Sequence, residues 1–310
     1  MIKTPVSDLR AHHSAIFGVC RALSVALFSL ILIASVFPAS AAPKKVLVVT
    51  TTTGFRHSSI PTAEKVLAEM AKRTDLFTVD YARVEPGDAQ FKGADGKTDG
   101  AKVQEAIKKV LAEKMSAEAL KTYDGVIFAN TTGDLPLPDK PAFLEFIKSG
   151  KGFVGMHSAS DTFHGWPDYL DMLGGEFLTH GAQVEVNAIN QDKECPACKH
   201  LEANWKVYDE IYQFKNFDTS KVHGLLTLDK HPNNNTPGNY QIAWCKDYGK
   251  GRVFYTSLGH REDVWDPNTP AGFKRMNSAE VAQAYQEHIL GGIKWALGLE
   301  KWEPGKTKVD

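Results

Sequence analysis

Eleven histidines occur in the 310 residues, and three of them follow apolar runs closely enough to share one chemical setting. His57 comes after Val46-Leu47-Val48-Val49-Thr50-Thr51, His157 directly after Gly152-Phe153-Val154-Gly155-Met156, and His260 after the run that begins at Gly251. An imidazole titrates near neutral pH, so it can serve as general base, general acid or metal ligand. Polar companions stand beside each one: Arg56 next to His57, Ser158 and Asp161 after His157, and Arg261 after His260. Thr132 closes a further run over Gly125–Asn130. A lone histidine is ordinarily a satisfied loop or core residue, and it is the coincidence of several at one edge that points to a site.

His157 is the natural centre. The stretch Gly155-Met156-His157-Ser158-Ala159 has the pattern of a nucleophile elbow, a tight turn after a buried strand, but with a histidine in place of the serine or cysteine. Acyl transfer through such an elbow is therefore not expected, and Ser158, one position late, reads as a cap for the next helix. Tyr208-Asp209-Glu210-Ile211-Tyr212 sets two carboxylates among aromatics, where partial desolvation would favour a general acid; a solvated pair at a strand start is the alternative. Phe163-His164-Gly165-Trp166-Pro167-Asp168-Tyr169, with His180 farther on, offers faces for a sugar ring, although Trp166 fits a core equally well. The expected roles are His157 as acid/base, Asp161 orienting it, His57 and His260 flanking it, and Glu210 as carboxylate partner. Arg56, Thr132, Ser158, Trp166, His180 and Tyr212 are the expected substrate contacts. A divalent metal is the rival use of the same groups, with His57, His157, His180 and His260 as candidate ligands beside Asp161 or Glu210.

Those residues need a scaffold that brings strand ends together. The runs at 46–51, 77–81, 125–130 and 152–156 are apolar throughout, as strands buried on both faces are, and they alternate with helical patterns at 60–70, 101–121 and 138–149. That alternation predicts an α/β fold with a doubly wound, mainly parallel sheet of the flavodoxin-like kind, whose ligands bind at the carboxyl ends of the strands. Ser58 or Ser59 is expected to cap the first helix. Candidate strands at 183–189, 222–229, 241–248 and 251–258 add a late antiparallel extension, with Gly249-Lys250 as a tight turn. Ser278 is placed to cap a closing helix that runs to Leu297.

Arg10 and Arg21 precede an apolar run from Ala22 to Phe37, followed by Pro38-Ala39-Ser40-Ala41-Ala42-Pro43. This reads as a signal peptide over residues 1–42, leaving a mature chain of about 270 residues, periplasmic or secreted and free of the membrane. Residues 43–300 make the α/β domain and 301–310 a C-terminal tail. A formal charge of −1 gives no reason to expect nucleic acid as a partner. Cys20 lies in the leader. Cys195 and Cys198, in a polar stretch, suit a small disulfide or an inert loop; a zinc site would add His200 but lacks the second half of a ligand set.

Taken together, Gly54-Phe55-Arg56-His57, the run through His157-Ser158-Ala159 to Asp161, Asp209-Glu210-x-Tyr212, Ile242-Ala243-Trp244-Cys245, Gly251 to His260, and Leu290-Gly291-Gly292-Ile293-x-Trp295-Ala296 resemble ThuA-like proteins of trehalose utilisation. The resemblance spans Lys44 to Leu299. It implies a class I glutamine-amidotransferase-like fold without the amidotransferase cysteine. It also implies a role in carbohydrate metabolism around glycosides or their 3-keto derivatives, with a small carbohydrate as substrate. One departure is Asp192-Lys193-Glu194-Cys195-Pro196, near the place where many members carry Asp-x-x-His-Pro; His200 is displaced from it.

Overall fold

Alternate residues of the first strand, β1 (Lys44–Val49), enter two different cores. Val46 and Val48 pack with α1 (Ile60–Thr74) and α7 (Ala279–Ala296), whereas Leu47 and Val49 pack with α2 (Gly100–Lys114), α4 (Lys140–Lys148) and α5 (Pro167–Leu173). A strand covered on both faces must be apolar at every position, which is why its sequence shows a continuous run. The computed structural model describes residues 42–269 and 272–305. The signal peptide expected over 1–42 therefore lies outside the described residues except for Ala42. No helix among the described residues is long and apolar enough to cross a membrane.

The main sheet has nine strands in the order β2-β1-β3-β4-β11-β10-β9-β6-β7. The five strands β2 (Phe77–Ala82), β1, β3 (Gly125–Ala129), β4 (Gly152–Met156) and β11 (Gly251–Thr256) run parallel. Next come β10 (Pro237–Tyr248), β9 (His223–Lys230), β6 (Val184–Asn190) and β7 (Asn204–Asp209), each antiparallel to its neighbour. A separate antiparallel ribbon joins β5 (Glu176–His180) to β8 (Tyr212–Lys215). The architecture is the expected α/β fold. The chain leaves β1 for β2 on one side and places β3 on the other, so a crevice forms where their carboxyl ends diverge.

Local chemistry explains several boundaries. Ser278 caps α7 by accepting the Val281 N–H, as expected. The single helix expected over 101–121 is two, α2 and α3 (Ala117–Leu120), because the Ser116 hydroxyl accepts the Ala119 N–H and starts a new helix. Ser59 occupies the N-cap position of α1, but its hydroxyl donates instead to the Gly259 carbonyl at 3.1 Å. The ribbon strands escape sequence reading because much of β5 is exposed and shows no alternation. Gly292 is required where α7 crosses β11, since a Cβ there would lie 2.4 Å from the Phe254 ring.

Of the two expectations for the cysteines, the disulfide is not formed and the inert reading stands. Cys195 and Cys198 are free thiols, both buried, in a helical turn where the Cys198 N–H donates to the Cys195 carbonyl at 2.8 Å. They pack into the same apolar cluster as Cys245, and the Cys198 thiol is held well above its usual range by its hydrogen bond with Cys195 and by burial. The expected tail also joins the fold at its start: the Trp302 carbonyl accepts the Trp295 indole N–H at 3.0 Å.

Candidate active site

Four donors from four regions of the chain converge at the carboxyl edge of the parallel strands. His57 follows β1, His157 follows β4, His260 follows β11, and Glu210 lies between β7 and β8. One ligand atom from each can be chosen such that all lie within 4.8 Å of one another. His157 Nε2 is 3.3 Å from His260 Nδ1, while Glu210 Oε1 is 3.2 Å from His260 Nδ1 and 3.7 Å from His157 Nε2. The three imidazole rings meet edge to face, His57 to His157 at 4.7 Å between centroids and the other two pairs at 5.2 Å.

The main chain dictates the orientation of His157. Its φ is +46°, a left-handed conformation that a non-glycine residue adopts only under constraint. The constraint is visible: the Tyr255 hydroxyl donates to the His157 carbonyl at 2.7 Å, and Ser160 also bonds that carbonyl and the Tyr255 hydroxyl. His157 Nδ1 lies 2.7 Å from the Ser257 carbonyl, which can only accept, so Nδ1 carries the proton and Nε2 presents its lone pair to the cluster. The strained turn of an elbow is thus present, but its side chain is fully buried rather than projecting.

Around this centre, the Ser158 hydroxyl lies 3.3 Å from His57 Nδ1 rather than capping a helix. His180, at the end of β5, places Nδ1 3.0 Å from Glu210 Oε2. The Tyr212 ring tilts against that of His157 with centroids 4.3 Å apart. Four of the expected contacts serve elsewhere. Asp161 does not orient His157; its Oδ1 binds His164 Nε2 at 2.7 Å, and His164 Nδ1 reaches Glu176 at the same distance. Trp166 stacks on Tyr169 and meets Phe163 edge to face, extending an aromatic core. Arg56 donates to the Thr50 carbonyl and pairs with Glu85 at 2.7 Å, and the Thr132 hydroxyl donates to the Phe55 carbonyl at 2.7 Å. The last two hold the loop that carries His57. His200, at 2.8 Å from the Ala284 carbonyl, is remote from the cluster.

Two positioning residues were not expected. Asp209, fully buried, accepts the N–H of Gly259 at 2.7 Å, of His260 at 3.3 Å and of Arg261 at 3.1 Å. Asn130, with φ +57°, donates to the Ser59 hydroxyl and to the Gly259 carbonyl, each at 2.9 Å. Gly259 itself has φ +119° and a Cβ there would lie 2.7 Å from the Tyr285 hydroxyl, so only glycine fits. The Asp-Glu pair signalled Asp209 in the sequence, but its main-chain partners are fifty residues away.

Burial lowers His57 to about 4, with the neighbouring His260 adding to the effect. Burial, then His57 and His260, also hold His157 well below its ordinary value. Both are therefore neutral donors at physiological pH. Burial opposes charge on His260 as well, but the hydrogen bond and negative charge of Glu210 prevail and raise it. Asp209 is pushed up to about 6 by burial, against the pull of its three N–H donors. Neutral imidazole lone pairs facing one carboxylate are a metal-type donor set. Tetrahedral ligands with ~2.1 Å arms stand roughly 3.4 Å apart, close to the spacings seen here.

The family model for trehalose utilisation, ThuA, matches residues 45–296. The chain belongs to the ThuA family. Among solved structures, a ThuA-like protein from Parabacteroides merdae superposes with a TM-score of 0.60 at 21% identity, covering 84% of this chain and 92% of the other. A ThuA-like protein from Bacteroides uniformis gives 0.58 at 20% identity, covering 84% and 95%. At these identities the two likenesses bear on the fold, and both agree with an α/β architecture along nearly the whole of each neighbour. No curated protein sequence matches the chain. Membership in the ThuA family points to a carbohydrate-related function for the chain.

Proposed function

We propose that this ThuA-family protein is a divalent-metal-dependent enzyme acting on a small carbohydrate, a glycoside or keto sugar. The observation that carries the reading is the convergence of His57, His157, His260 and Glu210 within 4.8 Å. A second feature supports it: the proton of His157 is committed to the Ser257 carbonyl, which leaves Nε2 as a donor. Such a carbonyl behind a ligating imidazole fixes both tautomer and ring orientation. Three nitrogens and one carboxylate oxygen suit a borderline ion such as zinc. When bound, a divalent ion would polarise a sugar carbonyl or hydroxyl, or lower the pKa of water.

The chain's own residues then have distinct duties. His57, His157, His260 and Glu210 hold the ion; Ser158 steadies the His57 ring; Asp209 holds the turn that carries His260. His180 is more exposed than the other ring groups of the site and shares Glu210 through its second oxygen, so it is placed to exchange a proton with a substrate entering from solvent. The absence of a serine or cysteine at position 157 remains an argument against acyl transfer through an elbow.

One observation favours a metal-free alternative, in which His260, its pKa raised by the adjacent Glu210, forms an acid/base pair with that carboxylate. Elemental analysis of the purified protein, with turnover of native and 3-keto disaccharides measured before and after a chelator, separates the two. Near-stoichiometric metal and chelator-sensitive turnover are expected. Less than about a tenth of an equivalent, with activity intact under the chelator, selects the acid/base pair. Saturable sugar binding without turnover across the panel makes the protein a carbohydrate-binding accessory. Export belongs to the same proposal, and N-terminal sequencing of the chain recovered from periplasm or medium tests it.

A further inference from the structure

A cavity of about 330 Å³ opens between the β5–β8 ribbon and the start of β10. Tyr212, Phe214, Phe217, Tyr240, Asn239 and Gln241 supply its main aromatic and amide walls. The described residues lining it include no aspartate, glutamate, lysine or arginine. That sets it apart from a cavity of similar size, about 310 Å³, beside His164, whose lining includes Lys221, Lys246, Asp171 and Glu176.

The aromatic groups are supported from behind. The Phe214 and Phe217 rings pack against the buried Trp244 with centroids 5.0 and 4.8 Å away, and Tyr240 meets His231 edge to face at 5.5 Å. All three are only partly buried, so some ring surface remains available. The amides are unevenly satisfied. Gln241 Nε2 donates to Gln191 at 2.8 Å and to Asn239 at 3.2 Å, whereas Gln241 Oε1 is buried with no partner. A buried acceptor left unpaired is costly.

Rigid rings and amides, with no aspartate, glutamate, lysine or arginine among them, match a ligand with apolar C–H faces and neutral hydroxyl edges. We infer that this cavity binds one ring of an uncharged saccharide, at a site distinct from the histidine–glutamate cluster. Its volume is near the lower end for ligand pockets and suits a single ring. Anionic sugars such as phosphosugars are disfavoured because the wall carries no lysine or arginine to neutralise them. Tyr212 belongs to this wall and also lies against His157, so a saccharide held here is one side chain away from the proposed metal. The inference depends on this wall and not on the reaction proposed for the cluster.

Ligand-observed NMR titration of the full mature protein with glucose, trehalose, maltose and cellobiose, before and after chelator treatment, tests it. A dissociation constant of about 1 mM is expected, in the range that a single ring can reach. Chelation should leave it unchanged. Tyr240→Ala and Phe217→Ala should each weaken binding about tenfold with an intact fold by circular dichroism, whereas Tyr240→Phe and Glu210→Gln should leave it within about twofold. Binding that vanishes in Glu210→Gln but survives both alanine variants would place the ring at the cluster and overturn the inference. So would failure of all four sugars to bind at about 20 mM. Loss of turnover with this binding retained would count against the proposed reaction alone.

Discussion

The Asp209 carboxylate holds His260 through the main chain: Oδ2 accepts the His260 N–H at 3.3 Å and the preceding Gly259 N–H at 2.7 Å, while Oδ1 takes that of Arg261. An acidic side chain that could have been read as a catalytic group instead gathers the turn that aims a ligand. Asp209→Asn keeps the size but turns an NH₂ toward N–H donors. Its unfolding free energy should fall by about 2–3 kcal/mol, with weaker metal binding. Chemical denaturation and metal titration of the same variant check both; unchanged stability would remove Asp209 from this role.

Glu210→Gln is the cleaner probe of the metal. It is nearly isosteric, removes the charge that faces His180 and His260, and leaves the fold's main contacts in place. Metal content by elemental analysis should drop at least about tenfold and turnover with it, as expected for a direct ligand. Full metal retention in this variant would argue that Glu210 is not a ligand.

His157→Ala is a harsher change. The ring is fully buried and its loss leaves the Ser257 carbonyl without that donor as well as opening a cavity. We expect destabilisation of about 2–4 kcal/mol together with loss of metal, measured by urea unfolding. The variant therefore cannot be read from activity alone.

Asn130 separates backbone strain from hydrogen bonding. At φ +57°, Asn130→Ala should cost about 2–4 kcal/mol, from left-handed strain and from the bonds to Ser59 and Gly259. Asn130→Gly relieves the strain and should recover about 1 kcal/mol of that loss. Equal stabilities for the two variants would show that the φ constraint is not real.

His288 predicts the pH dependence of stability. Burial lowers it to about 3, while Nδ1 donates to the Ala197 carbonyl at 2.8 Å. Its folded pKa lies below the unfolded value near 6.5, so the unfolded chain binds the extra proton between these values. The stability contributed is complete above about pH 6.5 and is lost as pH falls, by up to about 1.4 kcal/mol per unit. Urea midpoints of the metal-free protein at pH 7, 6 and 5 should decline, and His288→Leu should flatten the decline. A decline of the same slope in that variant would assign it to other groups.

The sequence by itself determined the parallel half of the fold and named all four donors, three of them by their place after parallel strands. Strands buried on both faces must be apolar throughout, and the members of a parallel set all end at one edge. Hence the positions of His57, His157 and His260 after their runs were enough to bring them together. Only the tertiary structure decided the rest. Glu210 follows β7, the last strand at the far side of the sheet, and reaches His260 because the antiparallel half and the β5–β8 ribbon return to that edge. Such returns depend on non-local pairing, which leaves no local pattern in the chain. The same holds for side-chain partners. Asp161 and His157 are four residues apart, yet Asp161 turns to His164, while the group that orients His157 is a main-chain carbonyl one hundred residues away. Residue types and periodicity specify which groups arrive at the edge, whereas packing selects the partner each one meets.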